Sequence, residues 1–330
     1  MGGMTHFVKL DRPSLWRRLA RAGWSAPSDP SIHGFVDVDM TNALAFIDEI
    51  RATTGERVTI THLVTKAIAM AIREYPMLNG IIRWDGFYLR KTIDIFVLAA
   101  RDHDQVAVGG GLSGVKVPQA DHCTLVDIAR HLQAKVPAVV AHKDPELAPT
   151  ERALKYMPGW MLKPVLNVID FLTFELDLDL RRAGVPYDQF GTAVITNVGM
   201  LGLSNGFAPI FPPSRCPLVI SVGEVRSEPM VVGKKVLPRP RMVLGCTVDH
   251  RFIDGLGAAK MARRFRELLD DPRAHFASEL RPAKAAKASK KPKAAKARAS
   301  GERPATRKRA RTNGGAPPEP PAGLQDTAAK

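Results

Sequence analysis

Three short runs rich in Val, Ile and Thr place the strongest constraint on how this chain folds. They occupy residues 192–196, 218–222 and 242–248, and Gly or Pro bounds each of them. Runs of this length and composition are typical of buried strands. Elsewhere apolar residues recur at spacings of three and four, as at Ile60 and Leu63, which is typical of helices. The two patterns together predict one mixed α/β unit.

The other elements follow from the same periodicities, with Gly and Pro as stop signals. Asp37 and Asp39 alternate with Val36 and Val38, which predicts a strand at 35–40. In chain order we further predict a helix ending near Thr53, a helix from Ile60 that stops before Pro76, a buried strand at 93–100, a helix at 124–135 and a last helix at 256–270.

Most of the positive charge lies at one end of the chain. Residues 281–330 hold 14 Lys or Arg and 3 Asp or Glu, a net of +11 out of a total of +15. From about Lys284 the basic stretches lack any apolar residue larger than Ala, so they cannot bury enough surface to offset the entropy of ordering. We therefore predict a basic N-terminal helix or arm at 1–29, a nearly charge-balanced domain at 30–275 and a disordered Lys/Ala/Pro-rich tail at 276–330.

The cysteines and the most apolar segment restrict the class of protein. Cys123, Cys216 and Cys246 are far apart and form no Cys-x-x-Cys pair. This pattern argues against a zinc site or a disulfide framework and favours a reducing compartment, so we expect a cytoplasmic protein without a metal. The apolar region 157–176 is interrupted by Pro and charged residues and falls short of a membrane span. It is expected to pack on the core, to form a lid over an acceptor site or to contact a membrane surface.

Two segments carry residues suited to catalysis. Residues 249–255 read Asp-His-Arg-Phe-Ile-Asp-Gly and join a predicted strand to a predicted helix. An imidazole such as that of His250 changes protonation near neutral pH and can take a proton from a thiol or hydroxyl. In the second segment, 191–202, the hydroxyl of Thr196 could donate a hydrogen bond to a developing oxyanion. A His–Asp pair four residues apart is often structural, so spacing alone leaves both interpretations open.

The segment 249–255 resembles the Asp-His-Arg-x-x-Asp-Gly motif of dihydrolipoamide acyltransferases, the core subunits of 2-oxoacid dehydrogenase complexes. The wider chloramphenicol acetyltransferase-like superfamily shares His-x-x-x-Asp-Gly. Other segments resemble the same catalytic domain in the same order, over about residues 30–272. They are Val38 to Met40, the helix that ends before Pro76, Asp94 in its strand, Ile195 to Gly199, Phe207 to Ile210 and the closing helix to Pro272.

The resemblance implies a fold and an activity. The fold would be a chloramphenicol acetyltransferase-like two-layer sandwich of class α/β with a mixed sheet. Acyl-CoA would be the substrate, and the acyl group would pass directly between coenzyme A and a thiol or hydroxyl acceptor. His250 would be the general base and Thr196 the donor to the oxyanion. The family assembles as a homotrimer, so these two residues would come from different chains.

The resemblance also implies supporting roles. Asp254 would be structural and would hold its loop through a salt bridge to an arginine, for which Arg17 and Arg18 are the candidates. Asn197 and Gly199 would contact the substrate.

Three departures from the family pattern keep alternatives open. We find no lipoyl domain and no lipoyl-lysine in this chain, the run at 108–118 is altered, and the segment 145–188 is longer and more apolar than usual. The protein could therefore act with 2-oxoacid dehydrogenase subunits or with a lipoylated protein in trans. It could instead acylate a small molecule or a lipid. A further class is a non-catalytic oligomeric scaffold that binds nucleic acid or another polyanion through the tail.

The charge of the tail gives a first testable prediction. Removing residues 281–330 should leave assembly and catalysis intact but weaken binding to DNA, RNA or anionic vesicles. Since such binding gains free energy by counterion release, it should fall steeply between about 50 and 200 mM salt. Gel-shift titration of the full-length and truncated proteins at two salt concentrations measures this. Equal binding by both proteins would exclude a role for the tail.

Overall fold

The computed structural model describes residues 29–84, 86–99, 114–140 and 158–280. The predicted arm at 1–29 lies outside these ranges except for its last residue. Most of the predicted tail also lies outside them. So do Arg17, Arg18 and the first part of the altered run, residues 108–113, whereas residues 114–118 are described.

A seven-stranded sheet forms the centre of the described structure. The described residues form nine strands in all, of which seven belong to this sheet. They are β1 (Ser31–Asp39), β2 (Gly80–Arg83), β3 (Gly86–Leu89), β4 (Ile95–Leu98), β5 (Gly114–Val117), β6 (Ala193–Asn197), β7 (Leu218–Val222), β8 (Arg226–Val232) and β9 (Lys235–Asp249). The order is β1-β9-β7-β6-β4-β5, with β8 paired to β9, while β2 and β3 form a separate hairpin. Because β4, β6 and β7 run parallel and the other pairs antiparallel, the sheet is mixed, as predicted.

The helices are α1 (Thr41–Thr54), α2 (Ile60–Glu74), α3 (Leu125–Val140), α4 (Gly159–Asp170), α5 (Gly255–Asp270) and α6 (Pro272–Phe276). Thr59 begins α2 with a capping box, in which the main-chain N–H of Thr59 donates to Nδ1 of His62 at 3.1 Å. Burial lowers the pKa of His62 to about 4, so the neutral ring accepts this hydrogen bond at physiological pH.

One face of the sheet carries helices. The other face is covered by the loop segment, residues 198–217, which joins β6 to β7. The core between sheet and helices includes Phe46, Leu63, Ile68, Ile195, Leu218, Leu244, Phe265 and Leu268. On the opposite face Phe207 stacks on Phe35 with ring centroids 4.3 Å apart, and Phe190 packs edge-on against Phe96 at 5.0 Å. The predicted two-layer α/β sandwich is confirmed.

The sequence patterns located the central strands well but missed two hairpins. The runs at 192–196, 218–222 and 242–248 correspond to β6, β7 and the second half of β9. β9 is longer than predicted because its first half pairs with β8, where Pro229 lies opposite Pro238. Proline residues in a sequence normally argue against a strand, because proline has no main-chain N–H to donate. They are tolerated in an edge hairpin such as β8–β9.

The apolar region at 157–176 forms α4 followed by a π-helical turn, Phe171–Glu175. Arg215 binds both ends of this turn: its guanidinium donates to Asp170 and to Glu175, the latter at 3.1 Å, and to the carbonyl of Ile82 at 2.8 Å. These contacts attach the turn to the rest of the domain, whereas Trp160 and Val168 of α4 are exposed and no described side chain of α4 is buried. The three expectations for this region stay predictions. Among the described residues no helix combines the length and apolar character needed to cross a membrane.

Gly245 allows the loop segment to lie flat against β9. A Cβ built on Gly245 would come 1.9 Å from the carbonyl oxygen of Gly206, whereas one on Gly34, in the neighbouring strand β1, would meet nothing within 4 Å. We predict that Gly245→Ala lowers the free energy of unfolding by about 1–3 kcal/mol, as overpacking does. Gly34→Ala, the matched control, should stay within about 0.5 kcal/mol of the parent. Urea denaturation measures both, and equal effects would contradict this account.

Candidate active site

The candidate catalytic histidine lies where β9 leaves the sheet. Asp249 is the last residue of β9, and its main-chain N–H donates to the carbonyl of Pro217 at 2.9 Å. The next N–H, that of His250, donates to the carbonyl of Pro30 at 2.9 Å. The side chain of His250 is exposed. The sheet thus fixes the backbone of the histidine while its imidazole reaches the surface.

The Asp and Arg that flank His250 shape the turn. The buried carboxylate of Asp249 accepts hydrogen bonds from the main-chain N–H of Arg251 at 2.9 Å and from its Nη2 at 2.6 Å. These hydrogen bonds to Asp249 raise the pKa of Arg251. Charge-assisted bonds of this kind are strong and directional, so they hold the turn that presents His250.

A surface groove of about 500 Å³ lies beside this turn and is lined by His250, Met77 and Phe252. Phe252 is buried and packs edge-on against Phe87, with ring centroids 5.6 Å apart. A Cβ on Gly80 would approach the Phe252 ring to 2.7 Å. The glycine therefore lets the β2–β3 hairpin lie directly against the turn that carries the histidine.

Asp254 has a structural contact that differs from the one expected. Its carboxylate is the N-cap of α5 and accepts a hydrogen bond from the main-chain N–H of Gly257 at 2.7 Å. A negative charge is also favourable at this end of a helix. The expected ion pair with Arg17 or Arg18 lies outside the described residues and stays a prediction.

Thr196 lies on β6 and is partly exposed. Side chains two residues apart on a strand share a face, so Thr196 shares the loop-covered face with Val194, which packs beside Phe96 there. Its register partner on β7 is Ser221, which the sequence analysis did not select. The Ser221 hydroxyl is buried and has no hydrogen-bond partner among the described residues. The signal that could have found it is a single polar residue inside the apolar run 218–222.

Asn197 and Gly199 shape the loop after β6. The side-chain amide of Asn197 donates to Oγ1 of Thr61 on α2 at 3.0 Å, and its oxygen accepts from the main-chain N–H of Met200 at 3.2 Å. A Cβ on Gly199 would come 2.7 Å from the carbonyl carbon of Gly223. These contacts fix the loop, while the expected substrate contacts of both residues stay predictions.

His250 and Thr196 of one chain lie at opposite ends of the sheet. Thr196 pairs with Ser221, and Ser221 pairs with Gly245, so these three residues are level across β6, β7 and β9. From Gly245 the strand continues through Asp249 before it reaches His250, a distance of about 16 Å along β9. A single chain therefore does not bring the two side chains to one reacting centre.

The thiols of this chain are poorly suited to act as nucleophiles. Cys216 and Cys246 are buried, and burial raises the pKa of both to about 12. Burial also raises the pKa of the half-buried Cys123. Since the thiolate is the reactive form, none of the three is activated. Within the described ranges no cluster of His, Cys, Asp or Glu side chains is arranged to hold a metal ion.

The described structure thus combines a mixed sheet, helices on one of its faces and an exposed histidine at the end of a central strand. The family model of the 2-oxoacid dehydrogenases acyltransferase catalytic domain matches residues 17–146 and 188–277. The chain belongs to this family, which confirms the resemblance found in the sequence. The match omits residues 147–187, which we call the inserted segment.

Two curated relatives show the extent of the similarity. The chain is 27% identical over 270 residues to the dihydrolipoyllysine-residue succinyltransferase component of the Saccharomyces cerevisiae 2-oxoglutarate dehydrogenase complex, covering 81% of this chain and 48% of the relative. It is 36% identical over 249 residues to the corresponding component of Bos taurus, covering 72% of this chain and 43% of the relative. The chain thus spans about half the length of these relatives.

Solved structures share the fold. Dihydrolipoamide acetyltransferase of Azotobacter vinelandii superposes with a TM-score of 0.55 at 19% identity, covering 75% of this chain and 84% of that one. The cubic core of a pyruvate dehydrogenase multienzyme complex gives a TM-score of 0.55 at 18% identity, covering 83% and 97%. Both likenesses agree with the sandwich described above.

The N-cap role of Asp254 can be separated from any role in catalysis. Asp254→Ala removes the acceptor for Gly257 and should lower the free energy of unfolding by about 0.5–2 kcal/mol. Asp254→Asn keeps an acceptor oxygen and should retain most of this stability. Thermal and urea unfolding of the two variants measure the difference. A loss of stability in Asp254→Asn as large as in Asp254→Ala would assign the effect to the charge instead of the cap.

Proposed function

We propose that this protein is an acyltransferase that moves an acyl group directly between coenzyme A and a thiol or hydroxyl acceptor. The observation that carries the proposal is the family motif at 249–255, folded as a hydrogen-bonded turn that exposes His250 in a surface groove. The unactivated state of the three thiols supports direct transfer without an acyl-cysteine intermediate.

In the proposed reaction His250 takes the proton from the acceptor thiol or hydroxyl. The acceptor sulfur or oxygen attacks the thioester carbonyl, and the carbonyl electrons move onto oxygen. The hydroxyl of Thr196 donates a hydrogen bond to this oxyanion. When the intermediate collapses, the bond to the coenzyme A sulfur breaks, and that sulfur takes the proton back from His250. Protons and electrons balance without a further reactant.

The active site would be shared between two copies of the chain. The separation of His250 from Thr196 within one chain supports this, since a base and an oxyanion donor must both reach the same reacting carbonyl. We propose a homotrimer in which His250 of one copy faces Thr196 of the next. The solved relative that forms the core of a pyruvate dehydrogenase complex supports an oligomeric assembly.

Relatives support the assignment of residues. In the Azotobacter vinelandii acetyltransferase a serine, a histidine and an asparagine were examined for roles in the catalytic mechanism, and that histidine and asparagine are four residues apart. His250 and Asp254 have the same spacing, and Thr196 offers a hydroxyl as serine does. That relative has asparagine at the spacing where this chain has Asp254, and the N-cap contact of Asp254 suits a structural role.

The names of the relatives favour a dihydrolipoyl thiol as the acceptor. A lipoylated protein would supply this thiol in trans, or the chain would act together with 2-oxoacid dehydrogenase subunits. A second candidate, acylation of a small molecule or lipid, is favoured by the inserted segment, whose exposed Trp160 and Val168 add apolar surface to the domain.

Substitution of the two candidate residues tests the mechanism. His250→Ala should lower turnover by about 10²–10⁴, the contribution of one general base. Thr196→Ala should lower turnover by about 10²–10³ with little change in coenzyme A affinity, because its hydroxyl acts on the transition state. Mass spectrometry of acyl-dihydrolipoamide formed from acetyl-CoA or succinyl-CoA measures turnover, and coenzyme A release measures transfer to hydroxyl acceptors. Near-normal turnover of His250→Ala would disprove the base.

Mixed assemblies of the two variants control for the shared site. Oligomers refolded or co-expressed from His250→Ala and Thr196→Ala chains should regain a fraction of the parent activity, since some interfaces then hold an intact pair. Oligomers of either variant alone should not. Failure of the mixture, with oligomer size unchanged, would place both residues in sites that one chain completes.

A further inference from the structure

A large cleft lies at the edge of the sheet, between β5 and the end of the inserted segment. Its volume is about 870 Å³. The charged side chains that line it are Lys116, Lys135, Arg181 and Arg182, and no carboxylate is among its described lining residues. A cleft lined by charges of a single sign raises the local concentration of ligands of the opposite charge.

Two of these cations are available to a ligand. Arg181 is paired with Asp179 at 2.6 Å, and Lys116 donates to the carbonyl of Asp188 at 3.0 Å. Lys135 and Arg182 are exposed and make no ion pair within the part of the chain that the structure describes. An anion entering the cleft would therefore meet two positive charges that no described carboxylate pairs with.

A second cleft, of about 580 Å³, adjoins the first and shares Lys116 and Arg181 with it. It is lined by two buried donors, Nε of Arg83 and the hydroxyl of Thr173, that have no hydrogen-bond partner among the described residues. Thr173 is only 3% exposed and lies in the π-helical turn. Asp94, Asp177, Asp179 and Asp188 also line this second cleft, so it lacks the single-sign lining that favours an anion in the first cleft.

The first cleft begins close to the candidate oxyanion donor. On β4, Val97 pairs with Ile195 of the parallel strand β6, so the next residue, Leu98, is level with Thr196. Leu98 also pairs with Gly114 on the antiparallel strand β5, so Thr196 and Gly114 are level across the sheet. Two strand spacings separate them, about 10 Å. Lys116 lies on the loop-covered face, since its register partner Phe96 packs there, and Thr196 shares that face. A ligand could thus have one end at Thr196 and the other in the cleft.

We propose that the first cleft binds the phosphates of the nucleotide end of acyl-CoA, with Lys135 and Arg182 as the main phosphate contacts. The inference rests on the proposed function, and it names where that substrate is recognised. Acyl-CoA has a thioester at one end and several phosphate groups at the other, which matches Thr196 at one end and a cationic cleft at the other. Arg182 belongs to the inserted segment, so this recognition is a property of this chain beyond the family match.

A double variant and a truncated substrate test the proposal. Lys135→Ala with Arg182→Ala should raise KM for acetyl-CoA by at least about tenfold with kcat unchanged, because two charge-assisted contacts are lost. KM for S-acetylpantetheine, which lacks the nucleotide phosphates, should not change. The charge-keeping variant Lys135→Arg with Arg182→Lys should restore most of the affinity. Lys234→Ala, in the exposed turn between β8 and β9, is the charge-matched control and should behave as the parent.

Calorimetric binding of adenosine 3′,5′-bisphosphate separates failure of this site from failure of the proposed function. We expect the parent to bind this nucleotide and the double alanine variant to bind it at least about tenfold more weakly. If the parent binds it in this way but transfers no acyl group, the phosphate site stands and the proposed activity falls. If transfer is normal and the double variant keeps the parent KM for acetyl-CoA, or shifts KM for both substrates equally, the phosphate site is wrong.

Discussion

β9 is paired along both of its edges, and the rest of the described structure depends on that pairing. Its second half hydrogen-bonds to β1 on one side and to β7 on the other. A slip of one residue would turn Leu244 out of the helix-facing core and would remove Gly245 from the position where Gly206 crosses the sheet. The same register decides where the strand ends. It therefore decides where the turn that carries His250 emerges.

Two arginines that donate to carbonyls of the hairpin β2–β3 also hold the inserted segment and the residue just after it, Asp188. Arg215 binds Asp170 and Glu175, while Arg90 makes a bidentate contact with Asp188 at 2.7 and 3.1 Å. Arg90 also donates to the carbonyl of Gly80 at 2.7 Å, which links the hairpin to the same cluster. Partly buried, bidentate arginine contacts are directional, so they position the walls of the cationic cleft and of the second cleft beside it.

In the proposed mechanism one chain carries two separate halves of the catalytic apparatus. The β9 end presents the proposed base, and the β6 end presents a hydroxyl with a cationic cleft two strands away. Neither half is suited to acyl transfer alone, because the base and the oxyanion donor must act on one carbonyl group. Assembly of copies would thus be part of the proposed chemistry, with substrate recognition and oxyanion contact contributed by the same copy.

The sequence by itself determined the elements whose signal is local. The β-branched runs located β6, β7 and the end of β9, the three-and-four spacing located α2 and α5, and the motif at 249–255 identified the family and the candidate base. The tertiary structure alone decided the contacts between distant residues. Arg90 and Asp188 are 98 positions apart, and the hydroxyl of Ser221 lies beside Thr196 only through strand register. Local patterns record propensity and periodicity, whereas long-range pairs form only when the packed sheet brings them together.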